Sequence, residues 1–194
     1  MRILEIEAPT ATWFLVCLFT AIVYWMANNT VITMICPKHL KYKWRELNWW
    51  KYNVSTFIFS IIASTAGIYS VLTGPEDMFH TVAHRGTPLC GYILAISLGY
   101  FIAEVLYVYE DRRLTEWVFV HHLILIISII YCRVANWKYR SLSMVIHFME
   151  VSSIFVSSER ILKCLNVDTH SVLYRVNCFL LLLPIFFVFY SPLG

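Results

Sequence analysis

Five ionisable side chains, Glu104, His121, His122, His147 and Glu150, fall within long apolar stretches of this sequence. At a bilayer centre each would cost about 2.5–3.5 kcal/mol on insertion scales, so a group of them calls for a role. A neutral imidazole beside a carboxylate is an activated general base or nucleophile, because the carboxylate fixes its tautomer and stabilises the imidazolium. That chemistry suits acyl transfer to an amine or a hydroxyl. A metal site is the alternative, since three histidines and two carboxylates could ligate zinc or iron. However, the order His147-x-x-Glu150 reverses the Glu-x-x-His pairs of di-iron bundles and has no second copy, so no metal is expected. A proton relay lacks the internal repeats and paired broken helices of transporters. The bland alternative is that each group glues two helices, which is worth about 0.6 kcal/mol per hydrogen bond. The number of such groups and their common depth favour a cavity. No Gly-rich phosphate loop, Gly-x-Ser-x-Gly elbow or His-Glu-x-x-His competes with this reading.

Helices in a membrane must position these groups. The 194 residues are 59% hydrophobic and 16% aromatic but only 14% charged, against roughly a quarter charged in soluble domains. A net charge of +3 on so apolar a chain excludes a disordered chain and a nucleic-acid-binding surface. Six cysteines with no CxxC pair exclude a zinc module or a disulfide-dense scaffold. Six stretches reach the roughly 20 residues needed to span about 30 Å of hydrocarbon: 11–35, 54–73, 89–109, 116–134, 141–162 and 173–190. The expected fold class is an all-α polytopic transmembrane helix bundle. The first stretch is interrupted by Asn28-Asn29-Thr30 and lacks a small-residue cleavage site, so it reads as a span and not a signal peptide. The fifth carries His147, Glu150 and several serines, and a re-entrant helix there would reduce the count to five.

Orientation follows from Lys and Arg. Ten (Lys38, Lys41, Lys43, Arg45, Lys51, Arg112, Arg113, Arg160, Lys163 and Arg175) lie on one side, which is then cytoplasmic, and five (Arg2, Arg85, Arg133, Lys138 and Arg140) on the other. The basic first loop, with Trp44, Trp49, Trp50 and Tyr52 interleaved, reads first as a topology signal. Its alternative reading is a segment lying on an anionic leaflet. Two glycosylation acceptors, at Asn28 and Asn53, fall in the bilayer and at its cytoplasmic face, and neither should carry a glycan. A Cys90–Cys132 disulfide and palmitoylation of Cys36 are compatible with the map, but plain buried cysteines are expected.

Measured from the cytoplasmic helix ends at about 1.5 Å per residue, Glu104, His121 and His122 lie level, roughly 6–8 Å deep. Glu150 and His147 lie roughly 12 and 16 Å deep and share a face with Ser143, Ser153 or Ile154, and Ser157. Ser97, Tyr100, Glu104 and Tyr107 form a matching stripe on the third span. The histidine pair projects about 100° apart, so one ring acts while the other orients it or seals a neighbouring helix.

Trp49 to Ser55, Gly99-Tyr100-Phe101 with Glu104, His121-His122, and Glu150-Val151-Ser152-Ser153 with Phe155 and Arg160 together resemble the TLC domain of ceramide synthases and translocating-chain-associating proteins. The resemblance covers about Trp44 to Cys164. It implies a first span with a basic segment over residues 1–43 and a TLC-like membrane domain over residues 44–191. Where ceramide synthases carry a His-Asp-x-x-x-Asp-like segment, this chain keeps His147 and Glu150 but has Phe148 and Val151. The stretch is more similar to small TLC domain-containing proteins, whose implied roles concern membrane phospholipid composition and lipid homeostasis. The family domain continues past its last span, whereas this sequence stops soon after Ser191, as expected of a short form.

The expectation is therefore a membrane protein of lipid homeostasis that binds or modifies acyl lipids. As an enzyme it would be an acyl-CoA-dependent lipid acyltransferase, with His121 or His122 as base or acyl acceptor and Glu104 or Glu150 orienting the ring. It would use acyl-CoA as co-substrate and no other cofactor. The alternative is a non-catalytic lipid-binding regulator. Membrane lipids are the expected partners. The endoplasmic reticulum is favoured over the plasma membrane or Golgi.

Overall fold

A computed structural model describes residues 10–73, 87–110, 116–135 and 140–190. Arg2, Arg85, Arg112, Arg113, Lys138 and the 191–194 end, all used above, lie outside the described residues. So do the side chains of Arg140, Ser143 and Phe148.

The described residues form α1 (Thr10–Asn29), α2 (Val31–Met34), α3 (Lys38–Lys41), α4 (Trp44–Thr73), α5 (Pro88–Glu110), α6 (Glu116–Val134), α7 (Arg140–Cys164) and α8 (Val172–Tyr190). The six long helices coincide with the six expected stretches. Segments Thr10–Met34, Trp44–Ser70 and Pro88–Tyr107 are long and apolar enough to cross a membrane, and Phe119–Val134 and Val172–Leu182 are shorter apolar helices. Large apolar side chains such as Phe14, Leu15, Phe19 and Met26 stand exposed along α1. In water such a face would aggregate; against lipid tails it carries no penalty.

Two differences from the sequence reading have clear causes. The second span's helix begins at Trp44, ten residues before Val54. The segment holds no Gly or Pro, and Leu47, Trp50 and Val54 recur on one face. That face packs with Ile32, Cys36 and Leu40 from the preceding short helices. The aromatic residues of this basic stretch therefore divide. Trp50 and Tyr52 are buried, and the Trp50 indole donates to the Ile32 carbonyl at 3.3 Å, whereas Tyr42 and Trp44 are exposed. Secondly, α1 ends where Asn-Asn-Thr interrupts it, with Thr30 outside helical dihedrals at φ −113° and ψ −85°. The Thr33 hydroxyl satisfies the Asn28 carbonyl at 2.8 Å.

The two acceptor asparagines, Asn28 and Asn53, are buried and leave no room for a glycan. All six cysteines are free thiols. Cys90 lies against Ser70 Oγ at 2.9 Å, and burial pushes the Cys36 thiol up against the pull of the Lys41 and Lys51 ammonium groups, so Cys36 presents no reactive thiolate.

The chain divides into two compact units. One comprises Met1–Ala27 and Thr65–Phe148, the other Asn28–Ser64 and Met149–Gly194. In the first, α1 packs closely on α5. Gly91, Ala95, Gly99 and Ala103 recur every fourth residue on α5, the small-residue spacing that lets helix backbones approach in a bilayer. The Trp13 indole donates to the Gly91 carbonyl at 3.0 Å. At Gly99 a Cβ would stand 2.2 Å from the Cys17 carbonyl oxygen. Removing the indole donor by Trp13→Phe should lower the melting temperature in detergent by about 2–4 °C, from roughly 1 kcal/mol for one buried hydrogen bond. An unchanged melt would show that the ring is not seated on α5.

In the second unit, His39 meets the Cys164 carbonyl at 3.2 Å and the Asn177 amide donates to the Phe155 carbonyl at 2.9 Å. The Arg160 guanidinium lies over the Trp49 ring at 5.4 Å from its centroid.

Candidate functional site

The polar face of α5 carries the first unit's site. Ser97, Tyr100 and Glu104 follow helical spacing and are all buried, Glu104 completely. The Tyr100 hydroxyl donates to Glu104 Oε1. From α6, His122 Nε2 lies 3.3 Å from Glu104 Oε2. The His122 ring also packs on Phe101, with centroids 5.4 Å apart, and Tyr24 of α1 meets Tyr100 edge to face at 5.0 Å. These contacts form a chain from Tyr100 through Glu104 to His122. The approach of Nε2 to the carboxylate brings the imidazole and the acid together as one buried pair. His122 Nδ1 is buried and has no hydrogen-bond partner among the described residues.

The remaining expected residues make other contacts. His121 is exposed, with its ring centroid 5.6 Å from that of His122, because adjacent helix positions point about 100° apart. His147 is buried, and its Nε2 lies 2.5 Å from Ser97 Oγ. Ser97 and Glu104 are seven residues apart, so the two histidine contacts lie roughly 10 Å apart along α5. Glu150 belongs to the second unit, where the Ser60 hydroxyl donates to Oε2 at 3.4 Å. Among the described residues no three His, Cys, Asp or Glu side chains converge as metal ligands would.

The α1–α5 seam opens into an apolar groove of about 530 Å³, lined by Ala21 and Trp25 of α1 and Ile102, Ala103, Leu106 and Tyr107 of α5. Ala103 and Tyr107 flank Glu104 in sequence, so groove and carboxylate share one stretch of helix. The sequence reading missed the groove, Tyr24 and the Ser60 contact. The small-residue repeat from Gly91 to Ala103 was the available signal for the seam.

The order of these elements, an aromatic-rich helix start, the Tyr-Glu stripe, the paired histidines and the Glu-Val-Ser-Ser helix, is matched as a unit by a family model. It is described as the TLC domain and aligns with residues 49–189. The chain belongs to the TLC family. The match extends beyond the Trp44–Cys164 stretch that carried the resemblance and takes in α8. TLC domain-containing protein 1 of Gallus gallus is similar, 26% identical over 138 residues that make up 70% of this chain and 51% of that protein. The chain thus spans about half the length of this curated relative. No solved structure matches the chain. Membership in the TLC family together with the apolar helices makes this an integral membrane protein and suggests a function related to membrane lipids. Glu104, His122, His147 and Glu150 all fall within the TLC match, whereas α1, which closes the groove, precedes it.

Proposed function

We propose that this TLC protein binds an acyl-bearing lipid along the α1–α5 groove and transfers a fatty acyl group from acyl-CoA to it, so influencing membrane phospholipid composition. The observation that carries this reading is the Tyr100–Glu104–His122 chain on the same stretch of α5 that lines an apolar groove. In the proposed step His122 Nδ1 takes the proton of the lipid hydroxyl or amine as that group attacks the thioester carbonyl. The carbon–sulfur bond then breaks, and the imidazolium returns the proton to the CoA thiolate. Glu104 holds the ring and stabilises its cationic form, and Tyr100 holds Glu104. The membrane we propose is that of the endoplasmic reticulum, where newly made lipids meet CoA thioesters.

A second reading, a non-catalytic lipid-binding regulator, is favoured by the burial of His122 and His147 in contacts between helices. Single variants separate the two. His122→Ala should reproduce the cellular phospholipid profile of a null and lower acyl transfer by the purified full chain about 10²–10⁴-fold, as loss of a general base does. His121→Ala, on the exposed face, should leave both near wild type. If His122→Ala folds, localises and gives a wild-type profile, the catalytic reading is wrong and the binding reading stands.

A further inference from the structure

The second unit contains a buried cation whose balancing charge is not supplied by the described residues. Lys51 is only 5% exposed. Its ammonium donates to Asn29 Oδ1 at 3.2 Å, a neutral acceptor, and among the described residues no carboxylate pairs with it. One residue before that acceptor, Asn28 is 1% exposed, and neither atom of its side-chain amide finds a hydrogen-bond partner among the described residues. An ammonium removed from water without a counter-charge costs several kcal/mol, and an unmet amide adds to that cost. Such an arrangement persists when something outside the chain supplies the missing charge.

The surroundings indicate its sign and source. Lys41 and Lys51 both lie near enough to Cys36 to act on its thiol, so two cations approach one point. Lys38, Lys43 and Arg45 are exposed close by in sequence, and none of positions 38–45 is acidic. The exposed Tyr42 and Trp44 stand within the same stretch, and aromatic rings of that kind seat a helix end at headgroup depth. Lys51 lies in the second turn of α4, which crosses the membrane, so the ammonium sits near the membrane–water boundary, where phosphate is plentiful.

We propose that Lys51, with the amide of Asn29 beside it, is a binding site for the phosphate of an anionic phospholipid headgroup. The ammonium has donors to spare beyond the one given to Asn29. Lys41 adds charge from the exposed side. The site is built wholly from residues 28–64 and does not rest on the acyl-transfer reading. A phosphate ester of CoA shares this chemistry and is the other source to be distinguished.

The test uses the full chain purified in a neutral detergent, with its melting temperature followed as lipid is added. Phosphatidic acid at about a hundredfold excess over its dissociation constant should raise the melting temperature of the wild type by about 5–10 °C, and phosphatidylcholine should not. Lys51→Met, which keeps the apolar stem and removes the charge, should fold with an unliganded melting temperature at or above that of wild type and lose the rise. Lys51→Arg should keep it. Lys43→Met removes the same charge from an exposed position and should also keep it. The proposal is overturned if Lys51→Met responds as wild type does, or if Lys43→Met loses as much, which would mean diffuse attraction. It is equally overturned if phosphatidylcholine stabilises as well as phosphatidic acid, or if CoA shifts the melt and the lipid does not.

Discussion

Gly99→Ala is expected to lower the melting temperature of the purified protein by about 6–12 °C, the equivalent of roughly 3 kcal/mol. The added methyl would stand 2.2 Å from the Cys17 carbonyl oxygen, 2.9 Å from Thr20 Cβ and 3.1 Å from the Ala21 nitrogen. Two of those three atoms are helix backbone, so no rotamer change relieves the clash and α1 must move off α5 as a body. The same displacement would deform the groove lined by Ala21, Trp25 and Ala103, so lipid binding should weaken along with stability. Ala95→Val, which adds two methyl groups on the same stripe one turn away, would also test whether the seam is as tight there. A Gly99→Ala protein that melts like wild type would mean that α1 does not lie on this stripe.

The second large effect concerns Glu104. Glu104→Gln keeps an oxygen to accept from Tyr100 but removes the negative charge beside His122. Under the proposed mechanism acyl transfer should fall about 10²-fold or more while the melting temperature stays within a few degrees, because the loss falls on the imidazolium formed during the reaction. Glu104→Leu should also unsettle the fold. It removes the acceptor of the buried Tyr100 hydroxyl, at about 1–3 kcal/mol for a polar group left without a partner, together with the charge beside His122. Contrasting the two separates the chemistry of the carboxylate from its structural role. Full transfer activity in a well-folded Glu104→Gln protein would remove Glu104 from the mechanism.

The site was legible to the degree that helix periodicity could reveal it. Ser97, Tyr100 and Glu104 are related by turns of a single helix, and any sequence that is helical there must place them on one face. The level of Glu104 with the histidine pair was likewise legible, since depth along a span is a matter of counting residues. Which histidine would face the carboxylate was not. His121 and His122 are chemically identical neighbours on a helix apolar all round, and nothing local distinguishes the direction that meets α5 from the direction that meets lipid. Glu150 shows the same limit more sharply. It accepts a hydrogen bond from Ser60 on α4, a partner that spacing along α7 does not reveal.

The sequence alone determined that the chain is a set of long apolar helices carrying a few costly polar groups, because hydropathy, helix length and residue spacing are properties of each segment by itself. It also determined the family, since the family model matches residues 49–189 of the sequence itself. Only tertiary structure decided that α1 seats on the small-residue face of α5, that His122 and not His121 meets Glu104, and that Lys51 is buried with a neutral amide. The physical reason is that in a membrane the rotation of each helix about its axis is set by steric fit and hydrogen bonding between neighbours. An apolar helix surrounded by apolar solvent has no inward side until another helix touches it.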